Sequence, residues 1–97
     1  MQIGSLVEMY KPLPQELIRC IDYFGHFYPE PGLYIVRNFS PDIEGMEKGI
    51  YLEEIVNPIH PFKKGFFEPY WHFEYFRELQ PPMNLTFLLN SPTITSV

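Results

Sequence analysis

Residues 33–39 read Leu-Tyr-Ile-Val-Arg-Asn-Phe and lie between Gly32 and the Ser40-Pro41 pair. The run is rich in β-branched and aromatic residues and is bounded by turn-forming residues, which predicts a β-strand. A second run of this kind, Ile-Tyr-Leu-Glu-Glu-Ile-Val at residues 50–56, ends at Asn57-Pro58. Two clear strands so close together predict a mostly β fold.

The rest of the chain continues this pattern. Strand-like runs begin near residues 17, 33, 50, 66 and 76, and turn-forming residues separate them. The chain has 97 residues, enough for one domain, and its 11 prolines argue against long helices. A regular series of short strands predicts a small antiparallel barrel or sandwich.

Residues 15–25 fit two structures. Leu17, Ile18, Ile21 and Phe24 recur at helical spacing, and Gly25 would end such a helix. As a strand, the segment has two alternating faces, one mostly apolar: Ile18, Cys20 and Asp22 on one, and Leu17, Arg19, Ile21 and Tyr23 on the other. Periodicity therefore leaves helix and strand open for this segment.

Charge and cysteine content exclude several classes of protein. The net charge is −5 and the basic residues form no cluster larger than Lys63-Lys64, so nucleic acid is not expected as a partner. Cys20, the single cysteine, cannot form an internal disulfide, and a lone cysteine in an apolar strand is typically a buried core residue. The chain lacks a signal-peptide pattern and an apolar run of membrane-spanning length. We expect a soluble, cytoplasmic protein that makes no membrane contact.

The sequence offers little for catalysis or metal binding. His60 and His72 are far apart in sequence and lack the paired spacing of zinc ligands. Glu53 and Glu54, as neighbours on a strand, would point to opposite faces, and one of them is expected to pair with Arg37. We therefore predict no catalytic residue, no metal, no cofactor and no enzymatic activity.

Four stretches taken in order, residues 18–22, 32–39, 49–58 and 65–79, resemble a group of small uncharacterised proteins of phages and prophages. The resemblance lies in a Cys-Ile-Asp strand, a Gly-Leu-Tyr-Ile-Val strand, Leu-Glu-Glu-Ile-Val-Asn-Pro, and a closing Glu-Pro-Tyr with Phe-Arg-Glu-Leu. It implies a five-stranded SH3-like barrel over residues 16–80. Residues 1–15 would then be an N-terminal arm or extra strand, and residues 81–97 a C-terminal extension. The resemblance favours a strand over a helix for residues 16–23 and supplies no catalytic residue.

The aromatic stretch at residues 68–79 then has a structural explanation. Phe73, Phe76 and Leu79 recur at a spacing of three, as a tight helical turn followed by a strand requires. In a small barrel such a turn commonly joins the last two strands. We expect these three residues to close the barrel end and Arg77 to point outward beside acidic neighbours.

More aromatic residues are present than so small a core can bury. SH3-like barrels hold proline-rich or other peptides with rings from the first loop and the closing turn. The candidate partner-binding residues are Tyr23, Phe27, Tyr28, Tyr70, Trp71 and Tyr75. The C-terminal extension offers a second element, since apolar and mostly polar residues alternate there as in a strand. Its candidate strand-pairing residues are Met83, Leu85, Phe87 and Leu89.

These features predict a non-enzymatic interaction module that binds an unknown protein partner, or itself as a homodimer. The alternative is an acidic accessory protein of phage type that inhibits a host nucleic-acid-handling factor through Glu44, Glu47, Glu53 and Glu54. An enzymatic hypothesis would require a pocket that places Cys20 or Glu68 beside a histidine.

Overall fold

The structure, a computed structural model, describes residues 1–81. The candidate strand-pairing residues Met83, Leu85, Phe87 and Leu89 lie outside the described residues. The elements in chain order are β1 (Leu6–Met9), α1 (Gln15–Tyr23), β2 (Gly32–Phe39), β3 (Gly49–Leu52), β4 (His60–Phe62), β5 (Gly65–Phe67), β6 (Trp71–His72), a 3-10 helix (Phe73–Tyr75) and β7 (Phe76–Gln80).

Five of the strands form one antiparallel sheet in the order β6-β3-β2-β1-β7. Strands β4 and β5 form a separate hairpin, which projects from the chain between β3 and β6. The expected mostly β fold is therefore present, but the sheet is not closed, because β6 and β7 remain its edges. Strand β1 comes from the expected N-terminal arm and pairs with both β2 and β7.

The core lies against one face of this sheet. Strand β1 alternates between half-buried and buried residues, and Val7 and Met9 are the buried ones. All four residues of β3 are buried. The buried cluster consists of Val7, Met9, Leu13, Ile21, Val36, Ile50, Leu52, Trp71 and Phe76. Burial of these side chains is the main stabilising contribution to the fold.

Residues 15–23 form a helix, so the strand favoured by the resemblance is wrong. The helix begins after Pro14, whose φ of −58° suits the approach to a helix, and ends near Gly25. Gly25 has a φ of +73°, and its N–H donates to the Asp22 carbonyl, which is a common helix ending. A helix is favoured because it places the apolar residues of this segment on one side, towards the core. There Ile21 is buried and Ile18 packs against the cluster. Cys20 lies on another face and is exposed, which corrects its expected burial.

The predicted helical turn is present as the 3-10 helix at Phe73–Tyr75, followed directly by β7. Only Phe76 closes the core, at 6% exposed; Phe73 and Leu79 are 38% and 48% exposed, so their expected burial is wrong. Arg77 points outward as expected, and its Nε donates to Glu8 Oε1 at 2.7 Å.

The second predicted strand, residues 50–56, stops at Leu52 because the chain turns at Glu53 and Glu54. The Glu54 carboxylate accepts the backbone N–H of Ile35 at 3.0 Å. Neither glutamate pairs with Arg37, contrary to expectation. The partner of Arg37 is Glu68, with Nη2 and Oε2 2.6 Å apart.

The Arg37–Glu68 pair links distant parts of the chain. Arg37 Nε also donates to the carbonyl of Leu52, and Glu68 Oε2 accepts the backbone N–H of Asn57 at 3.0 Å. Asn57 in turn exchanges two hydrogen bonds with the backbone of Phe27. These bonds hold the loop after α1 and the segments before and after the β4–β5 hairpin in one arrangement.

Candidate functional site

An open cavity of about 270 Å³, here called the aromatic groove, lies between α1, the β4–β5 hairpin and the region around β6. Its helical wall includes Leu17, Cys20 and Phe24. These residues follow each other at spacings of three and four, so they lie along one face of α1. Ile21 borders the groove as well and packs on the core beside Ile18, so the apolar side of α1 is broad and serves both the core and the groove.

The other walls of the groove carry aromatic rings in close succession. Consecutive ring centroids are 4.5–6.0 Å apart, within the usual range for interacting aromatic pairs. Phe62 and Phe67 stack nearly parallel, with 12° between their planes, across the hairpin. The order of the rings is Phe24, His60, Phe62, Phe67, Tyr70 and His72. This ring series gives the groove a continuous aromatic surface.

The groove opens onto a further exposed aromatic side chain. Phe24 lies beside Tyr23, which is 84% exposed. Exposed apolar side chains that adjoin a cavity are typical of a docking surface. Single exposed apolar residues are ordinary, but Tyr23 continues the ring series beyond the cavity.

Two histidines join the helix end to the hairpin. His26 Nε2 and His60 Nδ1 are 3.3 Å apart, so one ring donates and the other accepts. The other nitrogen of His26, Nδ1, is buried and has no hydrogen-bond partner in the part of the chain that the structure describes. The pair thus places polar atoms in an otherwise apolar wall.

The end of the groove at His72 is acidic. One ligand-type atom from each of Glu47, His72 and Glu74 lies within 4.8 Å of the others. His72 Nδ1 is 3.1 Å from Glu47 Oε2, and the Tyr70 hydroxyl donates to the Glu47 carbonyl at 2.7 Å. These atom types can bind divalent metals. Sequence spacing gave no sign of the trio because Glu47 comes from the loop between β2 and β3.

The electrostatic effect of these carboxylates reaches the tyrosines that line the groove. Burial raises the pKa of the Tyr75 hydroxyl, and the charges of Glu74 and Glu47 raise it further. Burial and then the charge of Glu47 raise the pKa of Tyr70. Negative charge near both hydroxyls opposes the formation of a phenolate.

The structure brings three of the six candidate partner-binding residues together, since Tyr70, Trp71 and Tyr75 all line the groove. Tyr23 lies at its open end beside Phe24. Tyr28 packs against the core and lines a separate concave surface with Leu13 and Ile18.

Phe27 is exposed and does not line the groove. Sequence reasoning missed Leu17, Phe62 and Phe67. The signal for the two phenylalanines was the Lys63-Lys64-Gly65 turn between aromatic residues, which is typical of a hairpin with rings on both strands.

The enzymatic hypothesis required a histidine beside Cys20 or Glu68. Cys20 lines the groove together with His26 and His60, but no hydrogen bond joins it to a histidine within residues 1–81. Glu68 bonds to Arg37 and Asn57 instead. Cys20 thus shares the groove with two histidines without a hydrogen bond to either, and the absence of enzymatic activity stays a prediction.

The acidic alternative relied on four glutamates. Glu44 and Glu47 precede β3, whereas Glu53 and Glu54 follow it, so the two pairs lie at opposite ends of that strand. Glu54 is already bound to the backbone of Ile35. No contact gathers the four carboxylates on a common surface among the described residues, and the alternative stays a prediction.

Comparisons with known protein families, with curated proteins and with solved structures find no match for this chain. Within the described range, none of the helices has the length and apolar character to cross a membrane. The function must therefore be inferred from the aromatic groove itself.

Proposed function

We propose that this protein is a non-enzymatic interaction module that binds an extended, apolar peptide segment of a partner protein in the aromatic groove. The observation that supports this most strongly is the continuous ring series along an open cavity. Flat aromatic faces pack well against proline rings and aliphatic side chains, which is how peptide-binding grooves obtain affinity.

The size of the groove also supports a peptide. Its volume of about 270 Å³ is slightly below the roughly 300–1,000 Å³ typical of small-molecule pockets. A cavity of this size accepts one or two side chains while the rest of a peptide follows the open surface. The exposed ring of Tyr23, beside Phe24, extends the contact area at its border.

The groove is held in place before any ligand binds. Trp71 is part of the core, and Phe62 stacks on Phe67 within the hairpin. The Arg37–Glu68 pair fixes the chain next to Phe67 and Pro69. A preformed site loses little conformational entropy on binding, so more of the contact energy contributes to affinity.

We further propose that the sheet is a partly open relative of an SH3-like barrel. Strands β1, β2 and β3 are successive antiparallel neighbours, and β7 returns to pair with β1 directly after a 3-10 turn. The groove lies between the region of the first long connection and the closing segment, where SH3-like barrels hold proline-rich peptides.

Blocking the groove tests the proposed function. Cys20 is exposed and lines the cavity, so Cys20→Trp places an indole there without disturbing the core. Arg19→Trp is the matched control, because Arg19 is the adjacent exposed helix residue and does not line the groove. Both variants are checked for native circular dichroism and then used with wild type to capture partners from a lysate of the source organism.

We expect wild type and Arg19→Trp to capture the same protein, and Cys20→Trp to capture at least about tenfold less. In the captured complex, Cys20 should also be protected from alkylation by iodoacetamide. A chain ending after Pro81 keeps β7 complete and should still capture this partner. Equal capture by Cys20→Trp, or capture that depends only on residues 82–97, would contradict the proposal.

A further inference from the structure

We propose that the bound peptide segment carries a lysine or arginine next to its apolar side chains, and that Glu47 and Glu74 hold this cation at the His72 end of the groove. This inference rests on the proposed function and specifies the chemistry of the partner. It assigns the groove two functions: the rings accept apolar side chains, and the two carboxylates recognise a positive charge beside them.

The two carboxylates lie at one end of the ring series. His72 is the last ring of the series and also a member of the acidic trio, so the carboxylates adjoin the groove directly. Tyr70 links the two parts, because its ring lines the groove while its hydroxyl donates to the backbone carbonyl of Glu47. That bond anchors the backbone of Glu47 beside the cavity.

No lysine or arginine within residues 1–81 compensates the charges of Glu47 and Glu74. The two lysines near this end are engaged elsewhere: Lys48 pairs with Asp42 at 3.6 Å, and Lys64 Nζ donates to the Glu44 carbonyl. Within residues 1–81, neither Glu47 nor Glu74 forms an ion pair with a lysine or arginine. Two neighbouring carboxylates repel each other, and an added cation relieves that repulsion.

The chemistry of the acidic trio favours a side-chain cation over a metal ion. His72 Nδ1 lies 3.1 Å from Glu47 Oε2, within ion-pair distance. A metal bound there would need this nitrogen free of a proton. An ammonium or guanidinium group leaves this contact intact, bonds to both carboxylates and lies over the face of a neighbouring tyrosine ring.

The test uses a phage-displayed library of random 12-residue peptides, selected against wild type in buffer containing EDTA. We expect enriched peptides to share proline, aromatic or aliphatic residues and a lysine or arginine at a constant distance from them. Peptides selected against Glu47→Gln/Glu74→Gln should keep the apolar residues and lose the fixed cation. The control is Glu30→Gln/Glu53→Gln, which changes the net charge equally at exposed positions outside the acidic trio.

One enriched peptide is then synthesised with its cationic residue or with glutamine in that place. We expect the Glu47→Gln/Glu74→Gln variant to bind the cationic peptide about two- to fivefold more weakly than wild type, the usual range for an exposed charge pair. The glutamine peptide should bind both proteins equally, so that the two losses are not additive. Added salt should weaken only the cationic peptide with wild type.

The outcomes separate the two proposals. Enriched apolar peptides without a fixed cation, or binding that appears only when Zn²⁺ replaces EDTA, would overturn this inference and leave the groove as the binding site. If no peptide is enriched, or if enriched peptides bind Cys20→Trp as tightly as wild type, the proposed function itself is wrong.

Discussion

Replacing Glu68 with alanine should destabilise the protein more than any other single change of a charged side chain within residues 1–81. Glu68 Oε2 accepts hydrogen bonds from Arg37 at 2.6 Å and from the backbone N–H of Asn57 at 3.0 Å. The Glu68 side chain is only 15% exposed, so water replaces these bonds poorly. The substitution removes both bonds and leaves the N–H of buried Asn57 without its acceptor.

The expected loss follows from these two bonds. A hydrogen bond that involves a charged group contributes about 1.5–3 kcal/mol, and Arg37 keeps its bond to the Leu52 carbonyl. We therefore expect Glu68→Ala to lower the free energy of unfolding by about 3 kcal/mol. Domains of this size are stable by about 5–15 kcal/mol, so the variant should remain largely folded. Glu68→Gln keeps a neutral acceptor and should lose about half as much.

Urea unfolding measures the effect through the fluorescence of Trp71, the single tryptophan, which is buried in the core. The unfolding midpoint should fall while the slope with urea stays constant. Glu53→Ala is the control: this exposed carboxylate should change stability by no more than about 0.5 kcal/mol. A loss below about 1 kcal/mol for Glu68→Ala would refute the role assigned to the Arg37–Glu68 pair.

Three further predictions concern the sheet, pH and the single cysteine. In Gly49→Ala the new Cβ would overlap the carbonyl oxygen of Trp71 on the neighbouring strand, so urea unfolding should show a loss of about 1–3 kcal/mol; no loss would contradict the close β3–β6 approach. The amino group of Met1 and a serine hydroxyl lower the pKa of Glu78 below its usual 4.5. A depressed pKa contributes stability above the unfolded-state pKa, and this stability is lost as the pH falls through the folded-state pKa. Glu78→Gln should therefore lose less stability than wild type between about pH 7 and about pH 3 in urea titrations, and identical losses would argue against the pair. Cys20 should react with Ellman's reagent in the native state about as fast as a free thiol, whereas a reaction that requires unfolding would place it in the core.

The sequence pattern at α1 does not decide between a helix and a strand. Residues 15–23 carry apolar side chains that fit both a helix and a strand, and the resemblance favoured the strand. In the helix, Ile18 and Ile21 pack on the core, while Leu17, Cys20 and Ile21 line the groove. The helix is clearly amphipathic, but in so short a segment the apolar residues also fit an alternating strand pattern, so tertiary contacts decide between the alternatives.

The candidate site was anticipated in part. Tyr70, Trp71 and Tyr75 stood out because they crowd one short stretch. Phe62 enters the groove through the β4–β5 pairing, and Glu47 meets His72 because β3 pairs with β6 in the register that places Gly49 opposite His72. Such contacts depend on strand pairing between segments far apart in the chain, which no local pattern contains.

The sequence by itself determined the mostly β character, the strands beginning near residues 33 and 76, and the tight turn before the last strand. These features are local, since propensity, alternation and bounding turn residues act within a few positions. Only the tertiary structure decided the helix at Gln15–Tyr23, the Arg37–Glu68 pair and the open sheet with its ring-lined groove. Each of these depends on which surfaces meet after the chain folds, because burial and ion pairing reward contacts between distant residues.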